Sequence, residues 1–176
     1  LWEESVSASG GLSCEMWALV AGDLDGDGLC DVAVWQYRYD ASTDTGTAKA
    51  IAKKGNNGIH LWEESVSATG KNNCDMQALW AGNLNGDGLD DIIVWQRKYD
   101  ESTHIRTSKV IAKKGNNGHH LWEESVSASG KQYNCSITAR WAGDLDGDGL
   151  DDVAVNQYEY DASTDRTTAK VIAKNG

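Results

Sequence analysis

The octapeptide LWEESVSA stands at residues 1, 61 and 121, and no other feature limits the fold of this chain as strongly. GNNG recurs at 55 and 115, and an aspartate-rich loop at 23, 83 and 144, the last delayed by one residue inserted near Tyr133. The period is 60 residues. A unit of that length with four strand-like segments has the arithmetic of a propeller blade or a similar β array, not of a helical solenoid.

Within one copy, EMWALVAG reads as a first strand and DVAVWQYRY as a second, with the acidic loop between them. Both are almost continuously apolar, as expected where each sheet packs between neighbours. DASTDTG is turn-rich, TAKAIAKK alternates as a third strand, GNNG suits a tight hairpin and IHLWEESVS makes the fourth. The expected fold class is all-β, a β-propeller-type array of three four-stranded blades. Residues 12–71 form the first repeat, 72–131 the second and 132–176 the third. The third lacks its fourth strand, and residues 1–11 are a fourth strand without the preceding three, suited to completing a blade.

Net charge is −11, which argues against nucleic acid, whose phosphates are gripped by clustered Lys and Arg. No apolar run approaches the roughly 18 residues of a membrane span, and no signal-peptide pattern is present. A soluble protein is expected. Because the chain starts at Leu1, it reads as a processed product or a piece of something longer. Of the four cysteines, Cys14, Cys74 and Cys135 are equivalent by repeat and Cys30 stands alone in the first acidic loop. Strand geometry separates Cys14 from Cys30, so free thiols or intermolecular bonds are expected.

In the first loop Asp23, Asp25, Asp27 and Asp31 follow D-x-D-x-D-G-x-x-D. Side chains at positions 1, 3, 5 and 9 of such a turn can converge, and the carbonyl of position 7, Leu29, adds an oxygen. An all-oxygen set suits a hard cation such as calcium, whereas zinc or copper calls for His or Cys. An EF-hand opens similarly but needs a Glu at position 12 between helices; here that position is Val34, Val94 or Val155, between strands. An Asp/Gly hairpin turn that binds nothing is the plain alternative. Against it, three copies keep oxygen side chains at all four positions, and with them mutual repulsion that a cation offsets.

AGDLDGDGLDDVAVW resembles the FG-GAP repeat, also called the VCBS-type or integrin-α-like repeat. The resemblance covers all three copies and implies a calcium-binding loop between the first two strands of a blade. By position it implies as ligands Asp23, Asp25, Asp27, the Leu29 carbonyl and Asp31; then Asn83, Asn85, Asp87, the Leu89 carbonyl and Asp91; then Asp144, Asp146, Asp148, the Leu150 carbonyl and Asp152. Up to three calcium ions follow, the second held most weakly because Asn83 and Asn85 replace two carboxylates. The aromatic-glycine signature that names the repeat is missing, with LWEES standing where another hydrophobic anchor would be.

The resemblance implies a non-catalytic extracellular or cell-surface module for adhesion or for carbohydrate or protein recognition, with a purely structural subunit and a polysaccharide-active enzyme as the alternatives. Nearly every polar feature is triplicated, whereas an active site is usually one asymmetric constellation. Glu3 and Glu4 are adjacent on a strand and so face opposite ways, unlike a glycosidase pair. Trp2, Trp62 and Trp122, like Trp35 and Trp95, are expected to fill space between sheets, and His60, His119 and His120 to lie at the surface. The Asn134 acceptor pattern for glycosylation is read as chance. Propellers usually have about four to eight blades, so three would close too tightly. A homo-oligomer by strand exchange is expected, either a dimer giving six blades or an open fibre.

Overall fold

The computed structural model describes residues 2–7, 13–129, 135–161 and 163–176, and the regular elements among them are all β-strands. The first sheet contains β1 (Cys14–Gly22), β2 (Asp31–Asp40), β3 (Thr45–Lys53) and β4 (His60–Thr69). The second contains β5 (Cys74–Gly82), β6 (Asp91–Asp100), β7 (Ile105–Lys113) and β8 (His120–Ser129), and the third β9 (Cys135–Gly143), β10 (Asp152–Asp161) and β11 (Arg166–Lys174). Each is an antiparallel meander in chain order, so the 60-residue period corresponds to one sheet. Among the described residues no sheet closes on itself.

Short alanines let the sheets approach. Ala48, Ala50 and Ala52 of β3 share a core with Met76, Ala78, Ile92 and Val94 of the second sheet, all nearly or fully buried. Val110, Ala112, Val126 and Ala128 repeat the arrangement against Ile137, Ala139, Val153 and Val155 of the third. Burying such side chains contributes about 1.5–3 kcal/mol for each Val or Ile. A sheet covered on both faces reads as a continuous apolar run, which is why Ile92, Ile93 and Val94 are all fully buried.

Glu63 and Glu64 face opposite ways, as expected. Glu63 pairs with Lys49 of its own sheet at 2.9 Å, and Glu64 with Lys113 of the next at 2.8 Å. Trp62 donates its indole N–H to the Gly115 carbonyl at 2.6 Å, and the Lys113 ammonium lies 5.5 Å from its ring centre. The first and third copies of that segment behave alike. Trp2 donates to Gly55 at 3.0 Å, Glu4 pairs with Lys53 at 2.7 Å, and Lys174 pairs with Glu124 over the Trp122 ring. Residues 2–7 thus lie on the first sheet as β4 lies on the second, although they form no strand there. They do not complete the third sheet, which has the order β11-β10-β9. Of the expected N-terminal strand, residues 1 and 8–11 lie outside the described residues, as does Asn134.

All four cysteines are free, Cys14 and Cys30 exposed, Cys74 and Cys135 buried. Burial pushes the thiols of Cys74 and Cys135 above the ordinary range.

Candidate metal centre

Each acidic loop starts at a bulge. The β1–β2 ladder shifts register between Val20 and Gly22, and the β5–β6 ladder between Trp80 and Gly82. Gly22 and Gly82 have φ of 73° and 70°, a left-handed conformation that turns the chain out of the sheet with little strain only at glycine. Across the bulge stand Asp31 and Asp91, the first residues of β2 and β6.

The loop then winds around its own carboxylates. Asp23 accepts from the peptide N–H of Gly26 at 2.7 Å and of Gly28 at 2.9 Å; Asp25 accepts from Asp27 at 3.1 Å and Asp27 from Leu29 at 2.9 Å. Asp144, Asp146 and Asp148 repeat this, as do Asn83, Asn85 and Asp87 in large part. These bonds draw the side chains inward. Carboxylate oxygens of Asp23, Asp25 and Asp27 lie within 4.8 Å of one another, and so do those of Asp144, Asp146 and Asp152. The second loop assembles no such trio, because two of its positions are amides.

Asp31 stands outside the first trio, and its carboxylate acts as a clamp. One oxygen accepts from Leu24 N–H at 2.9 Å and the other from Gly55 N–H at 2.8 Å, joining the loop to the GNNG turn. Asp91 joins Leu84 to Gly115 and Asp152 joins Leu145 to Gly176. Burial raises the carboxyl pKa of Asp31 and Asp91, the donated N–H bonds oppose it, and the neighbouring acidic residues add to the rise. Asp148 also stays outside its trio.

The turns send cationic or amide groups onto the loops. Lys54 Nζ lies 2.5 Å from Asp25 Oδ2, and Asn56 donates to Asp27 at 2.7 Å. Lys114 stands 3.5 Å from Asp87, while in the third repeat Asn175 replaces the lysine and donates to Asp146 at 2.8 Å. The Asp25 side chain is only 8% exposed, and its Oδ2 has no hydrogen-bond partner of good geometry, the Lys54 ammonium being what approaches it. Oxygen-only donors around a buried carboxylate oxygen fit a hard cation.

A second feature was not foreseen. A cleft of about 550 Å³ opens between the first sheet and β5, lined among others by Glu15, Trp17, Leu19, Trp35, Asp75 and Gln77. Trp17 is 68% exposed. Burial raises the Asp75 carboxyl pKa, partly offset by Arg97 at 3.6 Å. The signal in the sequence was a departure from the repeat: Gln77 and Thr138 stand at the place of Trp17. Trp62, in contrast, is buried, and Trp35 and Trp95 are half-buried between sheets, as expected for packing. His60, His119 and His120 are exposed.

An all-β array with one oxygen-lined loop per sheet defines the class. Residues 83–155, from the second acidic loop into β10, match the family model of the FG-GAP-like repeat. No curated protein and no solved structure matches the chain.

Proposed function

We propose that this is a non-catalytic, extracellular, β-propeller-type module, pinned by calcium at its acidic loops, that recognises carbohydrate in the cleft beside Trp17. Calcium would be held by Asp23, Asp25, Asp27, Asp31 and the Leu29 carbonyl; by Asn83, Asn85, Asp87, Asp91 and the Leu89 carbonyl; and by Asp144, Asp146, Asp148, Asp152 and the Leu150 carbonyl. The ion would supply local charge neutralisation where the loop's own N–H groups leave carboxylates facing one another.

The observation that carries the ligand reading is the exposed Trp17 ring in a cleft edged by Glu15, Asp75 and Gln77. A flat aromatic face with carboxylates and an amide around it matches the two sides of a sugar, one apolar and one rich in hydroxyls. A glycan array on calcium-loaded protein tests this, with Trp17→Ala and excess chelator as companions. Binding that Trp17→Ala abolishes supports the reading. Absence of binding across broad arrays removes it, and a melting curve unmoved by chelator removes calcium as well, since an ion bound only to the folded state stabilises it by mass action.

A structural, assembling subunit is the second reading. Residues 2–7 occupy on the first sheet the place of a preceding sheet's outer strand, while β11 is an edge strand exposed over most of its length. Such an edge invites pairing with residues 2–7 of a second copy.

A further inference from the structure

The peptide of Asp23 is held by the next repeat. Asp90 N–H donates to the Asp23 carbonyl at 3.0 Å, and Asp23 N–H donates back to Asp90 Oδ2 at 2.8 Å. The second junction repeats this reciprocal pair: Asp151 N–H to the Asn83 carbonyl at 3.1 Å, and Asn83 N–H to Asp151 Oδ2 at 2.9 Å. Trp141 Nε1 donates to the other Asp151 oxygen at 2.7 Å and orients it. In the doublets Asp90-Asp91 and Asp151-Asp152, then, the second residue clamps its own loop and the first clamps the loop before it. Cys30 stands where the first repeat would have the first aspartate of its doublet.

Packing follows the same direction. Leu24 and Leu84, beside the clamped residues, are fully buried, and Gly115 lies so close to Leu24 that a side chain there would overlap it. Leu145 is 57% exposed, and no described residue does for Asp144 what Asp90 does for Asp23.

We propose that Asp90 and Asp151, which are outside the ligand set, are positioning residues for the cation loops of the preceding repeats. Each fixes the peptide that carries the first ligand, so that the affinity of a loop is set in part by the repeat that follows it. Groups that orient a ligand without touching the metal typically change affinity by about 10–100-fold when removed. The inference rests on the calcium reading of the loops.

Site-resolved calcium titration of the full chain by amide NMR separates the two. Gly26 and Gly28 report the first loop, Gly86 and Gly88 the second, and Gly147 and Gly149 the third. Asp90→Ala should raise the calcium midpoint at Gly26 and Gly28 by about tenfold and leave Gly147 and Gly149 unchanged. Asp90→Asn, which keeps an acceptor oxygen but no charge, should titrate close to the native chain, and Cys30→Ala should change no loop. Asp151→Ala, read at Gly86 and Gly88, makes the same test at the other junction should Asp90→Ala fail to fold. An unchanged first-loop midpoint in Asp90→Ala overturns the coupling, and so does an Asp90→Asn variant as impaired as the alanine. If no glycine of the native chain responds to calcium, the calcium reading falls, and this inference with it.

Discussion

Gly82 and Gly143 have the same left-handed φ of 70° but different surroundings. A Cβ on Gly82 would overlap the Asp151 carboxylate, whereas one on Gly143 would meet only Trp141 at 3.8 Å. Gly143→Ala therefore carries the backbone strain alone, about 1 kcal/mol, while Gly82→Ala adds an overlap of the kind that costs a further 1–3 kcal/mol or so. Urea midpoints of the two variants would measure the difference; equal losses would mean that the Asp151 contact does not form in solution. Residues of this kind mark what a sequence hides. Gly82 and Gly143 sit in near-identical strings, WAGNLNGDG and WAGDLDGDG, and only the packing of the next sheet distinguishes them.

At the scale of one loop, the spacing of Asp23, Asp25 and Asp27 was legible because these residues meet within a single turn, where local backbone geometry decides. The strands were legible for a similar reason, since β1 to β4 fall within about two residues of the apolar runs that announce them, an ordinary end uncertainty. Lys54 was not legible as a partner of Asp25, because 29 residues and two strands separate them and only the folded sheet brings the ammonium to the loop. Asp90, Asp151 and the Trp17 cleft were missed likewise, being defined by contacts between sheets. The lysine makes a prediction. Its ammonium occupies the approach to Asp25 Oδ2, and the carboxylate in turn keeps it charged by raising its pKa. A tethered cation competes with a free one, so Lys54→Ala should raise the calcium affinity of the first loop severalfold and leave the third, where Asn175 stands, unaltered. Calorimetric titration of the variant would check this, and a lower affinity would make the lysine a support for the loop instead of a competitor.

For the whole molecule, the expected closure separates into a part the structure bears on and a part it leaves to experiment. Residues 2–7 rest on the first sheet through Trp2 and Glu4, and no described residue continues the third sheet beyond β11. If a second copy supplies the missing strand, sedimentation should give a species of at least twice the chain mass that dissociates when residues 1–9 are deleted; a stable full-length monomer would rule out the exchange. The one-way contact between loops has another consequence, for synthesis. As the chain leaves the ribosome, each repeat can form its own sheet, but its loop leucine stays wet and the first residue of its loop unclamped until the aspartate 67 or 68 residues downstream has emerged and folded over them. Folding would thus advance like a row of tiles laid from one end, each course sealing the one before, with the newest course always the most vulnerable to proteases and to mispairing.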